Sequence, residues 1–127
     1  MIAQILVADD DENVLSTLRD FLESLGHRVV TAKDGYGAWQ AAHDHAPHLV
    51  ILDIMMPGHY GPTVYEILQN DSYTSSIPII FISGLAAPEV EKMLPKDPKT
   101  RFIAKPLDLE NLEKTIKELL PRGGYIP

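Results

Sequence analysis

Five short apolar runs, each halted by a polar or charged residue and each followed by apolar side chains three and four residues apart, limit this chain more than any other feature. Residues 2–8 form the first run, which stops against Asp9, Asp10, Asp11 and Glu12. A short, mainly apolar run of that length suits a strand buried on both faces. The spacing then changes, and Val14, Leu15, Leu18, Phe21, Leu22 and Leu25 mark the stripe of an amphipathic helix, with Gly26 placed to end it. Residues 28–32 repeat the strand pattern and run into Asp34-Gly35; Ala38, Trp39, Ala41 and Ala42 define a second helix that ends before Pro47. Residues 49–52 are wholly apolar and end at Asp53, after which Met56-Pro57-Gly58 is expected to be irregular. A third helix is expected over residues 63–68, a polar connection over 71–76, and a fourth strand over 77–82, with Pro78 near its start and Ser83-Gly84 at its end. Pro88 is placed to open a short helix over 89–94, which the proline-bounded stretch 95–98 closes. Residues 101–104 make a fifth strand ending at Lys105-Pro106. Asp108 caps a last helix with core stripe Leu109, Leu112, Ile116 and Leu119 and an outer Glu113–Lys117 pair.

Strict alternation of buried strands with amphipathic helices implies an α/β fold, a parallel sheet covered on both faces by right-handed crossovers. In such sheets ligands bind beyond the carboxyl ends of the strands. The first, third, fourth and fifth strands end at Asp9/Asp10, Asp53, Ser83 and Lys105, so the chemistry is gathered at one edge.

Composition narrows what that edge can do. With no cysteine, the chain has no disulfide framework, thiolate metal site or thiol nucleophile. Eleven Lys+Arg against 18 Asp+Glu give a net charge of −7, unsuited to a domain that neutralises nucleic-acid phosphates, although a small local basic patch is compatible with it. The apolar runs fall far short of the roughly 20 residues that span a bilayer, and residues 1–8 lack the basic flank of a signal peptide, so a cytoplasmic setting is expected. Carboxylates converging on one pocket need compensation, because two of them ~5 Å apart repel by about 3 kcal/mol at an effective dielectric near 20. A hard cation such as Mg²⁺ suits such a cluster, and an ammonium from Lys105 opposite Asp53 would keep that carboxylate ionised and nucleophilic. Carboxylate, divalent metal, lysine and the Ser83 hydroxyl are together the parts of phosphoryl transfer to an aspartate. His43, His45 and His48 lack the spacing and partners of a metal site and are expected at the surface.

Four separated motifs carry a resemblance: Ile5-Leu6-Val7-Ala8-Asp9-Asp10, Leu52-Asp53-Ile54-Met55-Met56-Pro57-Gly58, Ile80-Phe81-Ile82-Ser83-Gly84 and Phe102-Ile103-Ala104-Lys105-Pro106. In this order and spacing the chain resembles the receiver domain of two-component response regulators over residues 2–120. The resemblance implies a flavodoxin-like doubly wound fold of five strand–helix units with sheet order 2-1-3-4-5, an order the general rule for such folds illustrates with this family's chemotaxis member. It implies Asp53 as phosphoacceptor, Asp10 as direct Mg²⁺ ligand with Asp9 acting through water, Met55 lending a backbone carbonyl, Lys105 as phosphate-binding lysine, and Ser83 and Phe102 as the switch pair. The implied partners are a sensor histidine kinase or phosphotransfer protein and an output domain or protein meeting the fourth helix, fifth strand and fifth helix, with a homodimer as one form of that contact. Direct nucleic-acid or membrane binding is not implied.

Two stretches depart from the family pattern. Tyr60-Gly61-Pro62 replaces the usual Asp-Gly ahead of the third helix, and Pro98-Lys99-Thr100-Arg101 replaces a Gly-Ala pair ahead of the fifth strand. Met55 and Leu85 stand where the family modulates phosphate lifetime, and both are apolar, which favours a persistent acyl phosphate. The receiver unit is expected over residues 1–121, with 122–127 a tail or the start of a linker. A pseudo-receiver that never becomes phosphorylated and a metal-dependent phosphatase are the rival readings. The second usually needs another acid two residues after the nucleophile, where Met55 stands.

Overall fold

The computed structural model describes the backbone of residues 2–56, 59–85 and 87–120, and their side chains except at 59–62, 87 and 91. The five apolar runs become β1 (Gln4–Ala8), β2 (Arg28–Ala32), β3 (Leu49–Asp53), β6 (Ile79–Ser83) and β7 (Thr100–Ala104). Between β3 and β6 stand two short strands, β4 (Met55–Met56) and β5 (His59–Tyr60). The helices are α1 (Glu12–Ser24), α2 (Gly35–His45), α3 (Gly61–Gln69), α4 (Ala87–Met93) and α5 (Leu109–Leu119).

The main sheet is parallel throughout, in the order β2-β1-β3-β6-β7. Counting its strands alone in chain order, this is the expected 2-1-3-4-5. Strand periodicity divides the core into two layers. Leu6, Val50, Leu52, Ile79 and Phe81 face Ala38 and Ala42 of α2, Val64 and Leu68 of α3 and Val90 of α4. Their strand neighbours Ile5, Val7, Ile51, Ile80 and Ile103 face Leu15, Leu18 and Leu22 of α1 and Leu112 and Ile116 of α5. Because both faces are covered, β3 and β6 are buried at every residue, which is why neither shows alternation in sequence.

Several local expectations change. Met55–Met56 and His59–Tyr60 pair antiparallel, Met55 opposite Tyr60 and Met56 opposite His59, so Met56 belongs to a two-residue ladder; Pro57 and Gly58 lie outside the described residues. The fourth main strand begins at Ile79 rather than at residue 77, since Pro78 has no N–H to give, yet its carbonyl still accepts from the Val50 N–H at 3.0 Å. The buried face of α5 is Leu112, Thr115 and Ile116, with Leu120 just beyond it, while Leu109 and Leu119 are half-buried. Thr115 tolerates burial because its hydroxyl donates to the Asn111 carbonyl at 2.8 Å. Pro88 falls at the second residue of α4 rather than its first, and the helix ends before Pro95. Asp108 caps α5 as expected, accepting the Glu110 and Asn111 N–H groups, and Glu113 pairs with Lys117 across one turn.

Candidate functional site

The acidic run at the end of β1 divides into four roles. Asp9 continues the strand, its N–H bonded to the Ala32 carbonyl at 3.1 Å, and its side chain is fully buried. Asp10 is exposed. Asp11 caps α1 by accepting the Asn13 N–H at 2.8 Å, and Glu12 is the first helical residue, where a negative charge suits the helix dipole. Asp9 and Asp10 are thus presented at the strand tip while the next two acids serve the helix.

Asp53 closes β3 and is 5% exposed. Its register partner is Ile82, one residue before Ser83 at the tip of β6, and the Ser83 carbonyl accepts the Lys105 N–H at 2.8 Å just beyond β7. Four neighbouring strands therefore deliver Asp9, Asp53, Ser83 and Lys105 to one edge, as the sequence order requires. One carboxylate oxygen from each of Asp9, Asp10 and Asp53 lies within 4.8 Å of the other two. At that separation each ionised pair repels by about 3 kcal/mol for an effective dielectric near 20.

Lys105 partly answers this repulsion. Its Nζ lies 2.9 Å from Asp9 Oδ2 and 3.4 Å from Asp53 Oδ2. Burial pulls the ammonium pKa down, but the two carboxylates outweigh it and hold the lysine above its usual value, charged. Asp53 Oδ1 accepts the Met55 N–H at 3.3 Å. Burial first, and then the Asp9 charge, push the Asp53 carboxyl up to about 6, with Lys105 opposing. One ammonium does not compensate the cluster.

A divalent cation would complete the compensation, and the residues fit one. The donors are three carboxylates with no sulfur, the set that suits a hard ion. Asp9 Oδ2 is buried and, although ion-paired to Lys105, accepts no well-directed hydrogen bond. Met55, the residue implied to lend a carbonyl, has its N–H on Asp53 and its side chain 55% exposed beside the site.

Ser83 and Phe102, the pair expected to switch, share one face of the sheet. Ser83 is buried at the end of β6, and its Oγ accepts the Leu85 N–H at 3.0 Å. Phe102 pairs in register with Phe81 and packs half-buried into the layer that contains Val90 of α4. Ser83 and Phe81, two residues apart on one strand, face the same side, so hydroxyl and ring both point toward the α4 layer.

The histidines need a correction. His43 is exposed, as expected, and contacts Asp71 at 2.7 Å. His48 is half-buried: its Nδ1 accepts the Gln4 N–H at 2.8 Å while its own N–H donates to the Gln4 carbonyl, also at 2.8 Å. On the other side of β1 the His27 Nδ1 accepts the Ala3 N–H at 3.1 Å, while the Ala3 carbonyl accepts from the next residue, the Arg28 N–H at 2.9 Å. Both imidazoles extend the pairing of β1 beyond its regular ladder, at the end of the sheet away from the acids. Burial lowers both pKa values, which keeps the accepting nitrogens unprotonated.

The order, spacing and convergence of these groups are those of one class of α/β domains with an acidic cluster at the carboxyl edge of the sheet. The family description "Response regulator receiver domain" matches residues 5–117, and the chain belongs to that family. It is 35% identical to Protein PilH of Pseudomonas aeruginosa over 119 residues, covering 93% of this chain and 98% of that protein. It is 27% identical to the polar-differentiation response regulator DivK of Brucella ovis, covering 94% of this chain and 98% of that one. Among solved structures, the Vibrio cholerae chemotaxis protein CheY4 superposes with a TM-score of 0.86 at 26% identity, covering 94% of this chain and all of that one.

Proposed function

We propose that this receiver domain accepts a phosphoryl group on Asp53 from a phosphohistidine of a sensor histidine kinase or phosphotransfer protein, in a Mg²⁺-dependent reaction within the cytoplasm, and signals by changing its protein contacts. The observation that carries the reading is the convergence of Asp9, Asp10 and Asp53 within 4.8 Å, with Lys105 reaching both Asp9 and Asp53. An Asp53 carboxylate oxygen attacks phosphorus; the new O–P bond forms as the N–P bond breaks, and the imidazole leaves with its electron pair and takes up a proton. Bound Mg²⁺, held by Asp10, Asp53 and the Met55 carbonyl with Asp9 through water, would supply charge neutralisation at the phosphoryl oxygens. Lys105, already held near Asp53, binds a phosphoryl oxygen, and Ser83 donates its hydroxyl to another.

The donor's approach has support beside the site. A groove of 280 Å³ lined by Val14, Thr17, Pro106, Leu107 and Leu109 runs past Lys105 between α1 and the start of α5. Its apolar lining suits a helical partner carrying the phosphohistidine. After transfer, the added charge draws Ser83 toward the phosphoryl group, Phe102 takes the vacated space, and the surface of α4, β7 and α5 changes for an output domain or protein. The domain is in this reading a substrate that catalyses its own modification rather than a turnover enzyme. With the Met55 and Leu85 side chains apolar, no added polar group orients an attacking water, so the acyl phosphate persists for minutes or longer.

Incubation with acetyl phosphate and Mg²⁺, read by intact mass, tests the proposal. Wild type gains one phosphoryl group, Asp53→Asn gains none, and chelation of Mg²⁺ abolishes the gain. No adduct on a folded wild type would make the chain a phosphorylation-independent module, and continuous turnover of small phosphate esters would make it a phosphatase.

A further inference from the structure

We propose that a groove at the amino-terminal end of the sheet docks an acidic peptide segment of a partner protein, one that carries a large apolar side chain between its carboxylates. The groove encloses about 490 Å³ at the pole opposite Asp53. Its lining comes from the segments that lead into β3 and β6, from the start of β7 and the residues before it, and from the last turn of α5, and Pro47, Ile77 and Leu119 give it an apolar floor. Its volume lies within the roughly 300–1,000 Å³ of ordinary ligand sites.

The charge of the lining argues for the class of partner. The whole chain carries −7, yet Lys99 and Arg101 stand in the groove against a single acid, Glu118. Among the described residues neither cation forms an ion pair. The nearby Asp97 carboxylate feels the Lys99 charge but takes its hydrogen bonds from the Tyr65 hydroxyl at 2.8 Å and the Lys99 backbone N–H at 2.9 Å. Both cations are held in place by backbone carbonyls. Lys99 Nζ donates to the Ser75 carbonyl at 2.6 Å, and one terminal nitrogen of Arg101 donates to the Pro98 and Thr100 carbonyls at 2.6 and 3.0 Å. Each retains further N–H groups for a carboxylate, and the side-chain entropy of fixing them is already spent. An apolar floor beside two fixed cations that outnumber the one acid of the lining selects a ligand that is anionic and apolar at once. The departure at Pro98-Lys99-Thr100-Arg101, which phosphoryl transfer does not use, thereby gains a role.

The test uses the full chain and a fluorescein-labelled peptide of sequence Asp-Glu-Leu-Phe-Glu-Asp, read by anisotropy at low salt, with amide NMR shifts locating the contact. Saturable binding with shifts confined to the residues around Ile77, Arg101 and Leu119 is expected. Arg101→Glu, an exposed position, weakens it at least tenfold, and Lys99→Met weakens it severalfold, while acetyl phosphate still labels Asp53 in both. A peptide with Ser in place of Leu and Phe, and one with Lys in place of the acids, each lose binding. The proposal is overturned by absence of saturation, by shifts centred on Asp53, or by binding indifferent to Arg101→Glu in a variant whose thermal melt matches wild type. It is equally overturned if the chain self-associates through this face, or if anilinonaphthalene sulfonate occupies the groove and the peptide does not.

Discussion

Replacing Asp53 with asparagine should make the protein more stable. Burial and the Asp9 charge raise the Asp53 carboxyl from 3.8 to about 6. A raised folded-state pKa on an acid means that the folded protein holds that proton more tightly than the unfolded chain. The stability lost to ionisation is therefore absent below about pH 4, grows between about pH 4 and 6, and is complete above. Two units correspond to ~3 kcal/mol. Asp53→Asn keeps the shape and removes the charge; it also forfeits the 3.4 Å contact with Lys105, which retains Asp9 at 2.9 Å. A net gain of ~1–2 kcal/mol at about pH 8 is expected, or roughly 3–8 °C in Tm for a domain of this size. Urea unfolding without divalent cations, followed by circular dichroism at about pH 8 and about pH 4.5, measures it, and the advantage should largely vanish at the lower pH. Saturating Mg²⁺ should then close the gap by stabilising wild type, by ~1.4 kcal/mol at ten times its Kd. A variant less stable than wild type at about pH 8, or one whose gain is the same at both pH values, would refute the reasoning.

Lys105→Met removes the charge that holds Asp53 down, so the Asp53 carboxyl should titrate above 6 by NMR and phosphorylation by acetyl phosphate should slow markedly; an unmoved titration would count against the ion pair. The two imidazoles predict a pH dependence of opposite sign to that of Asp53. Their pKa values are lowered by burial, so the stability they confer is present above about pH 6.5 and is lost as protonation removes the acceptors for Ala3 and Gln4. In the Asp53→Asn background, unfolding free energy should fall by about 1 kcal/mol per hydrogen bond between about pH 7.5 and 5, and His27→Gln with His48→Gln should flatten that slope. Asp108→Ala deprives two N–H groups of α5 of their acceptor and should cost about 1 kcal/mol in urea unfolding without changing labelling of Asp53.

The parts of this fold that could be read from sequence are those whose physics is local. A strand buried on both faces must be apolar throughout, so β1, β3 and β6 announce themselves, and the acid or hydroxyl that ends each run marks the solvent edge where chemistry collects. The β4–β5 pair escaped because two residues carry no periodicity. His27 and His48 escaped because their role depends on β1 lying between the residues that precede β2 and β3, a juxtaposition no spacing within one segment encodes. On α5 the expected stripe of Leu109, Leu112, Ile116 and Leu119 does pack on the core, and only Thr115 escaped, because it hides its hydroxyl against its own helix and so passes as apolar. The groove at the far pole was equally out of reach, since its wall draws on four separated stretches of chain.

Helix α4 is seven residues long, barely two turns, with Val90 the one fully covered side chain among those described and a proline near each end. A helix so brief has little cohesion of its own, because an isolated segment of fewer than about 12 residues is marginal in water. It lies on the same layer as the Phe102 ring and follows directly on the turn held by Ser83. Of the five helices it is the shortest and would therefore yield readily to a modest push from within, like the thinnest panel of a box.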